Sequence, residues 1–220
     1  MDAGLTLGET KAPLRVTGYI DASFGCHDDG KSHSGLVVKV GTSTVLTMSA
    51  KQKLVSKDST EAEIVALSDM MIKVFECQEF MEHQGYGWRP PLIWQDNCST
   101  ISLVTKGGGT YRTRHMKVRV ACVKERVDDG DLVVRHMPAK HMLADTLTKP
   151  LQGELFRSLT GRILGSKDIP SQGCVGVINP GGTSADRVGA LEGNKFAALT
   201  PGDSGHTKPD TVDAHSGHGT

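Results

Sequence analysis

A short apolar strand that delivers a carboxylate constrains this chain more than any other feature. In Arg15-Val-Thr-Gly-Tyr-Ile-Asp-Ala-Ser-Phe-Gly25, residues 14–20 are strand-like, carried by Val16, Tyr19 and Ile20. The strand ends on Asp21, and a carboxylate buried alone carries a large desolvation cost. It therefore needs a cation or a proton. Three more acids stand in comparable settings: Glu63 in Thr60-Glu-Ala-Glu-Ile-Val-Ala-Leu-Ser-Asp, Asp96 closing Pro91-Leu-Ile-Trp-Gln-Asp, and Asp145 in Met142-Leu-Ala-Asp-Thr-Leu-Thr-Lys. Four carboxylates converging on one point make a site for divalent metal. Asp21, in mid-sheet, is expected to be the least compensated of them, and Asp145, on a terminal helix, the least perturbed in pKa.

The remaining pattern supplies a frame for these acids. A polar turn at 26–35 leads to strand-like runs at 36–40 and 43–48, a three-stranded antiparallel meander. From 58 to 83 the apolar residues Ala62, Val65, Ala66, Met70, Val74 and Phe75 recur at helical spacing, and Gly85 with Pro90-Pro91 stops the pattern. A strand at 92–96, a short helix at 99–104, a Gly-rich joint and a basic helix at 112–127 follow. A fifth strand at 131–137 leads into a helical stretch at 141–149. Pro150 can open a last helix with Leu151, Leu155, Phe156, Leu159 and Ile163 on one face. The order βββαβααβα is that of an α/β fold, a five-stranded mixed sheet with helices on both faces.

At 220 residues the chain has room for one good core, not two full domains. The expected division is an arm at 1–13, a folded domain at 14–165 and a tail at 166–220. The tail holds ten Gly and four Pro and no apolar periodicity, the composition of a disordered segment. Whole-chain charge is balanced, with 25 basic and 25 acidic side chains, so only local clustering points to a polyanionic partner. Such a cluster exists between positions 106 and 126, where Lys106, Arg112, Arg114, Lys117, Arg119, Lys124 and Arg126 face a single Glu125. Arg112, Arg119 and Arg126 recur every seven residues with almost no acid to pair with, which suits phosphate contacts better than a solvated face. The five cysteines are odd in number and form no C-x-x-C pair, against a disulfide framework or a zinc knuckle. No leader-like or membrane-spanning stretch is visible, so the expected home is intracellular, cytoplasmic or nuclear, with no membrane partner.

Each candidate has a plainer reading. Gly25-Cys-His-Asp-Asp-Gly-Lys-Ser32 fits the phosphate-loop pattern G-x-x-x-x-G-K-S, and the strand ending at Asp96 resembles that pattern's magnesium-holding strand. A phosphate cradle needs a helix N-terminus, however, and Gly35-Leu-Val-Val-Lys-Val-Gly is strand-like, while Asp28 and Asp29 would repel phosphate. A hydrophilic hairpin turn is the better reading. Glu61 and Glu63 point about 200° apart on a helix, so only one faces the site. With Asp58 as N-cap, Glu61 is the capping-box residue and Glu63 shares a face with Leu67, Met70 and Val74; with Thr60 as N-cap, Glu63 takes the box position instead. Asp96 alone passes for the N-cap of the next helix, and Asp145 for a solvated helix residue. His141 lies one turn before Asp145, close enough to assist it, although such pairs are commonly on the surface.

Six ordered stretches lift the four acids above these separate readings: Gly18-Tyr-Ile-Asp-Ala-Ser-Phe-Gly25, Lys31-Ser-His-Ser-Gly35, Ser59-Thr-Glu-Ala-Glu63 with Ile64-Val-Ala-Leu67, Trp94-Gln-Asp-Asn97, Arg112-Thr-Arg-His115 and Leu143-Ala-Asp-Thr-Leu-Thr-Lys-Pro-Leu151. Through them, residues 14–164 resemble the ribonuclease H domain of copia-type retrotransposon polyproteins. The departures are Phe24 in place of a family Trp, Lys117 in place of an acid, and Val120 in place of a Tyr. The resemblance implies a ribonuclease H-like fold and an Asp, Glu, Asp, Asp tetrad, carried onto Asp21, Glu63, Asp96 and Asp145. It further implies an endonuclease that cleaves the RNA strand of RNA-DNA hybrids with two Mg2+ ions, Mn2+ being a possible substitute. Asn97, Arg112, Arg114, His115, Lys117 and Arg119 are the implied nucleic-acid contacts, and the reverse transcriptase of a polyprotein is the implied former neighbour. The alternative is a catalytically inactive nucleic-acid-binding remnant of the same fold. A transposase or integrase nuclease fits less well, because those use Asp, Asp, then Glu, whereas here Glu63 precedes Asp96.

Overall fold

The computed structural model describes residues 14–107 and 114–165. The arm at 1–13, the tail at 166–220, Arg112 and the side chain of Arg114 lie outside the described residues. Three strands come first, β1 (Val16–Ser23), β2 (His33–Val40) and β3 (Ser43–Lys51), then the long helix α1 (Ser59–His83). Next are β4 (Leu92–Gln95), α2 (Cys98–Lys106), α3 (Arg114–Asp128) and β5 (Val133–His136). A 3-10 turn (Ala139–His141), a four-residue helix α4 (Asp145–Thr148) and α5 (Gly153–Leu164) complete the domain.

The sheet order is β3-β2-β1-β4-β5, with β1 in the middle. The first three strands pair antiparallel, and β1, β4 and β5 pair parallel, so the sheet is mixed. Alternation along β1 assigns its side chains to two cores. Val16, Ile20 and Ala22 pack with Ala66, Met70 and Val74 of α1 and Val104 of α2, whereas Tyr19 joins Val37 and the segment Met142, Leu143, Ala144 with Leu159 of α5. Helices cover both faces, and the arrangement is a ribonuclease H-like fold.

Two glycines allow the helices to approach the sheet. A Cβ on Gly18 would lie 2.8 Å from Cγ2 of Val74, and one on Gly35 would lie 2.7 Å from Cγ2 of Thr148 and 3.0 Å from the Ala144 carbonyl. Gly35 stands directly opposite Asp21 in the β1-β2 ladder. The missing side chain is what lets α4 settle beside that carboxylate.

Several boundaries differ from the sequence reading. β1 runs on to Ser23, so Asp21 lies within the ladder and not at its end. The helical stretch expected at 141–149 divides into the 3-10 turn and α4, because Met142 between them is extended. The last helix begins at Gly153, since Gln152 is itself extended, and Pro150 lies outside it. β5 is shorter than 131–137 because the Leu132 N–H bonds back to the Arg126 carbonyl at the end of α3. The phosphate-loop pattern is a turn that leads into β2: the Gly25 N–H donates to Ser32 Oγ at 3.1 Å, and Lys31 pairs with Asp29. No helix among the described residues is long and apolar enough to cross a membrane.

Candidate active site

The acids meet at the C-terminal ends of the parallel neighbours β1 and β4, the end of an open sheet at which ligand crevices form. One carboxylate oxygen each from Asp21, Asp96 and Asp145 lie within 4.8 Å of one another. Asp21 is fully buried, but it is not the poorly compensated charge that its mid-sheet position suggests. Thr148 Oγ1 donates to its Oδ2, and Lys149 Nζ donates to its Oδ1 at 3.2 Å. The same ammonium reaches Asp145 Oδ1 at 2.8 Å. Both donors lie at or just after the end of α4, so the contacts depend on the docking that Gly35 permits.

Asp96 owes its freedom to its neighbours. Asn97, not Asp96, is the N-cap of α2, its Oδ1 accepting from the Thr100 N–H at 3.0 Å. Gln95, fully buried, accepts from the backbone N–H groups of Asp96 and Asn97 and donates Nε2 to Glu63 Oε2 at 3.2 Å. One amide thus shapes the turn after β4 and holds the helix-borne acid against it. Glu63 lies beside the three-oxygen cluster, outside the 4.8 Å group. Asp58 caps α1 by accepting from the Glu61 N–H at 2.8 Å, and Glu61 reaches back to the Lys57 N–H, which leaves Glu63 to face inward. The N-cap at Thr60 does not form.

Mutual repulsion marks these groups electrically. Burial, followed by the charges of Asp21 and Asp96, raises the Glu63 pKa well above the usual carboxylate range against the opposing bonds from Gln95 and Ala22. Asp96 is raised by burial and by Asp21, with Lys149 opposing. Asp145, expected to be the least perturbed, is pushed up to about 6, chiefly by burial, because α4 is pressed onto the sheet and Asp145 is only 5% exposed. For Lys149 burial acts downward, but Asp21 and Asp145 outweigh it and the net shift is upward.

Other expected residues are placed differently. His141 sits in the 3-10 turn, apart from α4, and makes no hydrogen bond to Asp145 among the described residues. Arg119 does have an acid to pair with, because α3 packs alongside α1 and meets Asp69; Lys124 pairs with Asp128 and Arg126 with Asp131. His115 and Lys117 are exposed. They flank Met116, which is buried against Ile64 and Val65, the residues that follow Glu63. Sequence reasoning missed Gln95, Thr148 and Lys149 as parts of the site. For Lys149 a signal was present, since it follows Asp145 by one helical turn within the Leu143-to-Leu151 stretch.

No family model matches the chain. It is 31% identical over 160 residues to the retrovirus-related Pol polyprotein from transposon RE1 of Arabidopsis thaliana, covering 72% of this chain and 11% of that protein. It is 30% identical over 150 residues to the corresponding polyprotein from transposon TNT 1-94 of Nicotiana tabacum, covering 66% of this chain and 11% of that one. The chain is a homologue of the Pol polyproteins of copia-type transposons. The chain spans about a tenth of the length of the curated relatives it matches. Among solved structures it is similar to the LC11 ribonuclease H1 isolated from compost, at 18% identity and a TM-score of 0.46 over 60% of this chain and 91% of that one.

Proposed function

We propose that the chain is an endonuclease that cleaves the RNA strand of RNA-DNA hybrids with two divalent cations held by Asp21, Glu63, Asp96 and Asp145. The observation that carries this reading is the approach of three carboxylate oxygens to within 4.8 Å at the C-terminal ends of the interior strands β1 and β4, with Glu63 adjoining them. Charge repulsion on that scale is relieved by a cation. All-carboxylate oxygen donors are hard ligands and fit Mg2+ or Mn2+ better than zinc or copper. Bound cations supply positive charge that activates a water molecule and stabilises the leaving oxygen.

The chain's own residues do the rest. Thr148 and Gln95 orient Asp21 and Glu63, and Glu63, with its raised proton affinity, is placed to hold a proton while the cluster carries no cation. Lys117 on α3, with Arg112 and Arg114 shortly before it in the sequence, supplies positive charge for the backbone phosphates, and the exposed His115 ring offers a hydrogen-bonding group beside it. Arg119 contributes less, being paired with Asp69. The Asn97 amide N–H2 remains available for a ribose 2′-hydroxyl while its oxygen caps α2. The reverse transcriptase segment of a polyprotein is the natural supplier of such hybrids, in an intracellular setting.

Incubation of the chain with labelled RNA-DNA hybrid, duplex DNA and single strands, with and without Mg2+, tests the proposal. We expect Mg2+-dependent cleavage of the hybrid's RNA strand alone, reduced roughly a hundredfold or more in Asp21→Asn and in Glu63→Gln. Hybrid binding without cleavage under any cation would establish the inactive remnant instead.

A further inference from the structure

Lys149 occupies a position that no other cation in the described residues shares. Its ammonium lies 3.2 Å from Asp21 Oδ1 and 2.8 Å from Asp145 Oδ1, two of the three carboxylates whose oxygens cluster within 4.8 Å. Lys149 is also the C-terminal cap of α4, its backbone N–H bonded to the Asp145 carbonyl at 3.0 Å, so the base of its side chain is fixed relative to the cluster. Its side chain is 34% exposed, whereas those of Asp21 and Asp145 are 1% and 6% exposed. The anions are thus buried, and the ammonium has a route to water.

We propose that Lys149 is a built-in counter-ion of the carboxylate cluster, which holds Asp21 and Asp145 together in the cation-free chain and yields their oxygens when a divalent cation enters. The inference rests on reading the cluster as a metal site. An ammonium and a divalent cation compete for the same two carboxylates, since their like charges repel at short range in a poorly solvated site. The exchange is feasible because a lysine head is a compact charge on a flexible stem and can move to solvent while the stem stays packed. The arrangement preassembles the acids and so offsets their mutual repulsion before the cation arrives. The same arrangement makes the cation compete for its ligands, so Lys149 lowers the affinity of the site. It is a positioning residue.

The test is Mn2+ titration calorimetry on the full chain, with thermal melts in chelator and in Mn2+. Lys149→Met keeps the stem and removes the charge. We expect it to bind Mn2+ roughly tenfold more tightly than wild type, the scale of one charge-assisted hydrogen bond, and to melt lower in chelator, so that its gain on adding Mn2+ is larger. Lys149→Arg should bind no more tightly than wild type. Where Lys149→Met does not fold, Lys149→Gln must show the same tightening. If wild type binds Mn2+ and the charge-removing variant binds it equally or more weakly, the counter-ion role is overturned. If neither binds Mn2+, and Asp96→Asn melts alike with and without it, the metal-site reading itself fails, and the counter-ion role with it.

Discussion

Asp145 has its pKa raised from 3.8 to about 6, chiefly by burial, so between about pH 4 and pH 6 the folded, cation-free chain holds a proton that the unfolded chain has released. Stability contributed by this group is therefore present at the acidic end and is lost as the pH rises through the window. Glu63 and Asp96 shift in the same direction. His33 and His141, lowered first by burial, act in the opposite sense, so the informative quantity is the difference between wild type and Asp145→Asn. In chelator that difference should grow in favour of the variant from pH 4.5 to pH 7, by on the order of a few degrees of melting temperature. Saturating Mg2+ should shrink or reverse it. Parallel melting curves across this range would contradict the burial of Asp145.

Among the elements, α4 is the one whose docking the site depends on, because it carries Asp145 and is followed directly by Lys149. It is only four residues long and cannot hold its own shape as an isolated helix, so its conformation is imposed by packing. Met142, Leu143 and Ala144 bury the segment before it against Tyr19 and Val37, and Ser49 Oγ donates to the Leu147 carbonyl at 2.9 Å. Gly35 leaves no room for error. Gly35→Ala would set a methyl group against Thr148 and the Ala144 carbonyl, an overpacking that costs about 1 to 3 kcal/mol. We expect a lower melting temperature together with weakened Mn2+ binding, as Asp145 is pushed off the sheet. Gly87→Ala, with open space around the new methyl group, is the matched control and should change neither.

For the whole molecule, the question is how the face that carries the acids meets a polyanion. The cluster is itself negative, and balanced overall charge gives no general attraction to nucleic acid, so binding depends on which cations remain unpaired. Lys117 is exposed and makes no ion pair among the described residues, whereas Arg119 is held by Asp69 of α1. Lys117→Ala should therefore flatten the salt dependence of hybrid binding by roughly 0.7 to 0.9 log unit, the slope that belongs to a single neutralised phosphate. Arg119→Ala should have a smaller effect, since removing it also frees Asp69. Equal slopes for wild type and Lys117→Ala, measured by fluorescence anisotropy across a salt series, would mean that this face is merely solvated.

Strand alternation in 14–20, the helical period of 58–83 and the capping chemistry at Asp58 were legible in the sequence because each rests on neighbours within a few positions. The separation of Glu61 from Glu63 was legible for the same reason, once Asp58 was chosen as the cap. Candidate acids could be named from their settings, but their approach to 4.8 Å could not, since Asp21, Asp96 and Asp145 lie on different elements far apart in the chain. Burial of Asp145 depended on how closely α4 lies on Gly35, and the pairing of Arg119 on which side of α1 faces α3. No local pattern encodes either distance. Short-range conformational preference determined the elements; packing between elements decided which charges were buried together, and so which lysine stands among the carboxylates.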